Sequence, residues 1–447
     1  MQLSGKKSGE GTSGSPVREK GWLKLDNAAK LFPAIMSEDL TLVFRLTVTL
    51  KEPVKYSALS KAVELTSRRF PYFSVSLGSG LFWNYLEMNE KLPRIQAEEE
   101  IPCTAFAVSR KSETLYRILA RGRRISVEFM HILTDGSGAL EYLKSLLYTY
   151  LQLAGKPVGD PGDIILPDTP PSEEEYEDGY NKYFRKVPPP AKIVKAWHLP
   201  FRLSGKPRLS TVEAEVSVRE VLEVSRGYKA SLTEYFVSVY LYSLQEIFHS
   251  ENKNRKRPVS RVLRVQVPVN MRTKFPCRTL RNFSLFVMPE TDIRLGSYSF
   301  EEILRSVHYQ LQLSTDVKQL SRFLSSNVSY EKLMLIRVLP LFIKKMAITA
   351  IYRGLASKRM TGIFTNPGAV NIPGWMHEHI DHFSLVPPPP NRWVKVSAGM
   401  ISFGDRLMIC FSNITRTREL ERLVLKRLAS DGVHVRILNN NLNNRKR

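Results

Sequence analysis

Apolar positions recur along the chain in two rhythms, one of strands and one of helices. Thr41–Leu50 (TLVFRLTVTL) is rich in β-branched and apolar residues and predicts a strand. Tyr56–Phe70 has Leu59, Ala62 and Val63 on one face and ends at Pro71, which predicts a helix and its stop. Ile125–Met130 (ISVEFM) predicts a second strand. From Gly138 to Leu153, residues Leu140, Leu143, Leu146, Leu147 and Tyr150 return at helical spacing, and Gly155 supplies the end.

Beyond residue 165 the rhythm breaks. A proline-rich stretch over 166–207 also carries the acidic run Glu173–Glu177, a composition suited to a crossover between packed units. The alternation then resumes. Strands are predicted at Thr211–Val218, Arg261–Val269, Asn282–Pro289, Trp393–Phe403, Leu407–Phe411 and His434–Leu438. Helices are predicted at Leu232–His249, Phe300–Leu313, Glu331–Arg359 and Arg416–Leu428. Strands and helices mixed in both halves indicate an α/β chain in two parts. The expected boundaries are a disordered segment at 1–20, an N-terminal subdomain at 21–165, the crossover at 166–207, a C-terminal subdomain at 208–441 and a basic tail at 442–447.

The length of 447 residues suits two domains, and 43% hydrophobic with 24% charged residues is a globular composition. The formal charge of +23 attracts anions: nucleic acid, acidic lipid or phosphorylated small molecules. Basic residues gather at Arg121–Arg124, Lys253–Arg257 and Arg445–Arg447 with no nucleic-acid-binding motif, so a nucleic-acid partner is not expected. The three cysteines, Cys103, Cys277 and Cys410, are unclustered, which fits a reducing compartment. The first residues, MQLSGKKSGEGTSGS, lack the apolar region of a signal peptide. The most apolar stretch, Leu333–Tyr352, is interrupted by Arg337, Pro340, Lys344 and Lys345 and is not a spanning helix. A cytoplasmic monomer is expected. Burial of that stretch's apolar face, with its basic residues solvated, is the expected arrangement. The alternative is peripheral contact with an anionic membrane.

The chemistry concentrates in Phe129-Met130-His131-Ile132-Leu133-Thr134-Asp135-Gly136-Ser137-Gly138, where a strand ends and a helix begins. A neutral imidazole at the strand's exit can take the proton of an alcohol or amine as it attacks an acyl carbonyl. Asp135, four residues on, is better suited to locking the loop by pairing with an arginine. Gly136 and Gly138 leave room for a bulky thioester arm. With eight His, twelve Asp and 24 Gly in the chain, roughly 0.01 chance occurrences of H-x-x-x-D-G are expected.

H-x-x-x-D-G in this setting resembles the signature of the chloramphenicol-acetyltransferase-like (condensation-domain) acyltransferase superfamily, and other segments resemble its alcohol O-acetyltransferase branch. These are Arg69-Phe70-Pro71-Tyr72-Phe73, Gly80–Leu86, Pro268-Val269-Asn270-Met271-Arg272, Thr279-Leu280-Arg281-Asn282-Phe283 and Thr365-Asn366-Pro367-Gly368, so the resemblance spans about residues 21–441. It implies two chloramphenicol-acetyltransferase-like subdomains, each a mixed sheet packed with helices, with a channel at their interface. It implies His131 as general base and Asp135 as a structural aspartate followed by Gly136. Arg272 becomes the candidate partner of Asp135, and Asn282 and Ser284 become channel-side polar groups with a conjectured oxyanion role.

The implied reaction moves an acetyl or longer acyl group from coenzyme A to an alcohol or lipid acceptor. Acyl-CoA is then a cosubstrate, with no permanently bound cofactor. The alternatives are an acyl carrier protein as donor, an amine as acceptor, or a non-catalytic relative associated with lipid or membrane. Met130 stands where condensation domains carry a first histidine, and the D-F-G-W-G of the plant branch is absent. Both departures point away from those subtypes. His377, His379 and His382 could suggest a metal, but the segment after Pro373-Gly374 reads as a solvated loop and no metal is expected.

Overall fold

The computed structural model describes residues 21–108, 113–191, 193–252, 259–333, 338–354 and 358–440. The expected disordered segment at 1–20, the basic tail at 442–447 and the cluster Lys253–Arg257 lie outside the described residues, as does Arg337. The first half contains β1 (Trp22–Lys24), α1 (Phe32–Ile35), β2 (Val43–Leu50), α2 (Tyr56–Arg69), β3 (Val75–Ser79), β4 (Asn84–Met88), β5 (Ile95–Ala97), β6 (Tyr116–Arg121), β7 (Arg124–Met130) and α3 (Gly136–Leu153). A short helix α4 (Gly179–Lys182) interrupts the crossover. The second half runs β8 (Ser210–Ser217), α5 (Val218–Gly227), α6 (Leu232–Asn252), β9 (Val262–Asn270), β10 (Ser284–Val287), β11 (Glu290–Asp292), α7 (Phe300–Ser314), α8 (Val317–Lys332) and α9 (Leu341–Gly354). It closes with β12 (Gly362–Thr365), β13 (Ile380–Val386), β14 (Val396–Phe403), β15 (Arg406–Asn413), α10 (Glu419–Ser430) and β16 (Arg436–Asn440).

Each half is built on its own mixed sheet. The eight-stranded sheet has the order β10-β9-β12-β14-β15-β8-β16, with β11 also on β9, and β12 runs parallel to both β9 and β14. The five-stranded sheet has the order β13-β2-β7-β6-β5. The expected α/β architecture of two sheet-and-helix halves is therefore the observed one. Strand β2 is buried along its whole length although its sequence alternates, with Phe44, Leu46, Val48 and Leu50 on one face and Arg45, Thr47 and Thr49 on the other. Its one basic residue, Arg45, is held by Glu128 of β7 at 2.7 Å and by Glu98 at 2.6 Å, so the buried charge is paired.

Three expectations change. First, β13 belongs by sequence to 208–441 yet forms the edge of the N-terminal sheet, with Leu385 opposite Leu46 and Phe383 opposite Val48. No single boundary separates the halves, because the chain returns to the first one. Second, the segment expected as a solvated loop holds this strand. The His377 ring lies on Phe403, whereas His382 bonds Asp381 at 2.8 Å and Thr49 at 3.2 Å. Among the described residues no group of three or more His, Cys, Asp or Glu could hold a metal ion. Third, the helix expected to run unbroken over Glu331–Arg359 is not continuous: α8 ends at Lys332 and a separate helix, α9, spans Leu341–Gly354. Pro340 stands immediately before α9, where its missing N–H costs no intrahelical bond.

Candidate active site

His131 is the first residue after β7, and the strand's pairing with β2 fixes where it emerges. Its backbone N–H donates to the Leu42 carbonyl at 2.9 Å. Its own carbonyl accepts from the Asn282 side-chain amide at 2.8 Å. The ring lies with its centroid 4.6 Å from Phe44 and 5.9 Å from Phe32. Nδ1 is 3.2 Å from the Thr134 carbonyl. A carbonyl only accepts, so Nδ1 carries the hydrogen and Nε2 holds the lone pair. Burial lowers the imidazole pKa below the usual 6.5, against the opposing pull of the Asp135 carboxylate, the Thr134 carbonyl and Asn282. The ring is thus held neutral and basic at Nε2.

Asp135 caps α3, accepting from the Gly138 N–H at 3.2 Å. Its other oxygen accepts from Arg272 Nη1 and from the Phe283 N–H, both at 2.9 Å. Arg272 is in turn held by the Thr279 carbonyl at 2.6 Å, Asn270 Oδ1 at 3.1 Å and the Arg281 carbonyl. The carboxylate therefore ties the first half's loop to the second half through several charge-assisted bonds and leaves the reacting space to His131.

Gly136 and Gly138 differ sharply. A Cβ on Gly136 would meet nothing within 4 Å, so space is open there. One on Gly138 would overlap the Leu280 carbonyl oxygen and Thr134 Oγ1, and would lie 2.9 Å from the Leu280 carbonyl carbon. Gly138 is thus occupied by the junction between halves and offers no room for a thioester arm. Thr134 completes this junction with a 2.5 Å bond from Oγ1 to the Leu280 carbonyl. Gly138→Ala is expected to destabilise the protein by about 1–3 kcal/mol in urea unfolding, whereas Gly136→Ala costs less than about 0.5 kcal/mol. Equal effects of the two would contradict the close approach at Leu280.

Asn282 and Ser284 lie on adjoining stretches, at the start of β10. Both side-chain N–H bonds of Asn282 are engaged, one on the His131 carbonyl and one on Asp26 at 3.2 Å. It steadies the His131 backbone and has no remaining N–H for an oxyanion. The Ser284 backbone is held by Tyr180, whose hydroxyl accepts from its N–H at 3.1 Å and donates to its carbonyl at 2.6 Å. The Ser284 hydroxyl has no hydrogen bond among the described residues.

The sequence reading did not single out Asp26, Phe32, Phe44 or Thr134. Asp26 is fully buried, its pKa pushed up to about 6 by desolvation against the attraction of Arg281, 3.6 Å away. Nothing local distinguishes this aspartate, since its partners Arg281 and Asn282 lie in the other half of the chain. Thr134 sits inside the motif and offered the one usable signal.

No family model matches this chain, and no curated protein matches it with significant similarity. Solved structures do share its fold. The first condensation domain of the CDA synthetase is 12% identical with a TM-score of 0.57, covering 94% of this chain and 99% of that one. A trichothecene 15-O-acetyltransferase from Fusarium sporotrichioides is 9% identical with a TM-score of 0.57, covering 92% and 94%. A protein from the same organism, solved in complex with coenzyme A and T-2, is 11% identical with a TM-score of 0.57, covering 93% and 99%. This chain shares the mixed α/β fold of these three structures over 92–94% of its length.

Proposed function

We propose that this protein is an acyltransferase that moves an acetyl or longer acyl group from coenzyme A to an alcohol, with His131 as general base. The observation that carries the reading is the state of His131. It is a neutral imidazole at the exit of a buried strand, between the two halves, with Nδ1–H spent on the Thr134 carbonyl and Nε2 left to accept a proton. That the fold is shared with a structure holding coenzyme A supports the choice of donor.

In the proposed reaction the alcohol oxygen attacks the thioester carbonyl carbon while its proton passes to Nε2. The tetrahedral intermediate collapses, the carbon–sulfur bond breaks, and the Nε2 proton passes to the departing thiolate, leaving an ester and free coenzyme A. Asp135, Arg272 and Asn282 act as positioning residues that hold the loop and the His131 backbone. With the Asn282 amide engaged, the Ser284 hydroxyl is the remaining candidate donor to the oxyanion.

The test is thiol release from acetyl-CoA and longer acyl-CoAs with a panel of alcohols and amines. Acceptor-dependent release is expected. Only neutral His131 is a base, and its pKa is lowered, so kcat/KM is expected to be full at pH 7 and to fall on acidification with a midpoint below 6.5. An acidic limb centred above pH 7 would contradict the assignment. Absence of thiol release with every acceptor, donor chain length and pH would exclude the coenzyme A reaction.

A further inference from the structure

Helix α9 presents its apolar face outward. Phe342, Ile343, Met346, Ala347, Ala350 and Ile351 follow the three- and four-residue spacings of a single helix face. That face is exposed: Phe342 is 65% accessible, Met346 71% and Ile351 59%. The residue turned inward is Lys344, whose Nζ donates to the Phe82 carbonyl at 2.9 Å and lies 3.6 Å from the Trp83 ring centroid. The expected burial of the apolar side is therefore not what is found: that side is exposed and Lys344 is buried, while Arg353 is exposed as expected.

The exposed face continues onto its neighbours. The Leu341 N–H donates to the Leu81 carbonyl at 2.8 Å, which sets the exposed Leu81 and Phe82 beside the start of α9, and the exposed Val338 and Leu339 precede it. Soluble proteins rarely leave so continuous an apolar surface uncovered unless something docks there. Charge selects the occupant. From Lys332 to His377 the sequence carries six Lys and Arg besides the inward-turned Lys344, and no Asp or Glu, within a chain of net charge +23. A second copy would bring like charges together, whereas an anionic lipid surface is attracted to the same residues. Among the described residues no helix is long and apolar enough to cross a membrane, and the 14 residues of α9 span only about 21 Å. Such a helix lies on a bilayer rather than through it.

We propose that the outer face of α9, with the adjoining Leu81-Phe82 tip, docks on the surface of an anionic phospholipid bilayer. The docking face is one short helix away from His131. Thr349 of α9 donates to the Ala34 carbonyl of α1 at 2.6 Å, and Phe32 of α1 is the ring against His131. On the acyl-transfer reading, and resting on it, the acceptor is then a lipophilic alcohol that reaches His131 from the bilayer.

The experiment is flotation of the full chain with phosphatidylcholine vesicles, with and without phosphatidylserine, at low salt. Binding is expected only to the phosphatidylserine vesicles, weakening as salt screens the basic residues. Phe342→Glu with Met346→Glu is expected to lower that binding about tenfold or more. A control pair with the same charge change on other elements, Leu295→Glu with Ile437→Glu, is expected to bind as the parent does. Both pairs sit at exposed positions, and thermal melts establish that they remain folded. His131→Ala is expected to float unchanged, so loss of acyl transfer and loss of docking are read separately. No flotation with anionic vesicles overturns the proposal. So does equal flotation of the α9 variant, or a parent dimer that the α9 variant splits while vesicle binding is unaffected.

Discussion

On the proposed reaction, acceptor-dependent thiol release from acyl-CoA is expected to fall by about 10²–10⁴-fold in His131→Ala, the range for removal of a general base. The fold should survive the change. The backbone bonds at this position, to the Leu42 carbonyl and from the Asn282 amide, do not involve the imidazole. What the ring itself contributes is one bond to the Thr134 carbonyl and contact with Phe32 and Phe44. The loss should therefore appear in kcat, with a thermal melt close to that of the parent. A variant that matches the parent rate would mean that another group takes the proton, and His131 would lose its role as the base.

The second large effect is on stability. Asp135→Ala is expected to cost about 3–5 kcal/mol, measured by urea unfolding, because it strands the Arg272 guanidinium in a nearly buried site. The same change removes the local cap of α3 and the acceptor for the Phe283 N–H, the latter a bond between the two halves. Removing both partners of the pair should cost less than the sum of the single changes, since no unpaired charge then remains. A cost for Asp135→Ala below about 1 kcal/mol would mean that the halves are held mainly by the β13–β2 pairing and by apolar packing. Asp135 makes no hydrogen bond to the His131 ring and acts through the loop it holds, so a large fall in activity with stability unchanged would contradict the positioning role.

The pH behaviour separates the two buried groups near this junction. His131 has a lowered pKa, so its neutral form is favoured in the fold, and the stability it contributes is lost as pH falls from the unfolded value near 6.5 through the lower folded one. Asp26 is raised to about 6, so its effect runs the other way: its protonated form favours folding at low pH, and that contribution is lost as pH rises from about 4 to about 6. The two effects have opposite sign.

Much of this protein was determined by short-range sequence. The strand Val43–Leu50, the helix Gly136–Leu153 and the position of His131 between strand and helix follow from periodicity, β-branching and capping within a few residues. Asp135 as a cap three residues before Gly138 is equally local. What tertiary structure alone decided is the set of contacts between residues far apart in the chain. Strand β13 joins β2 across more than 300 residues, and its sequence carries no clear alternation because its register shifts between Ile380 and His382 and its last four residues are all buried. Asp26 becomes important only through Arg281 and Asn282. The orientation of α9 was undecided for the same reason. Helical periodicity identifies which residues share a face, but only the neighbours of a helix determine which face is covered, and here they cover the one that bears Lys344.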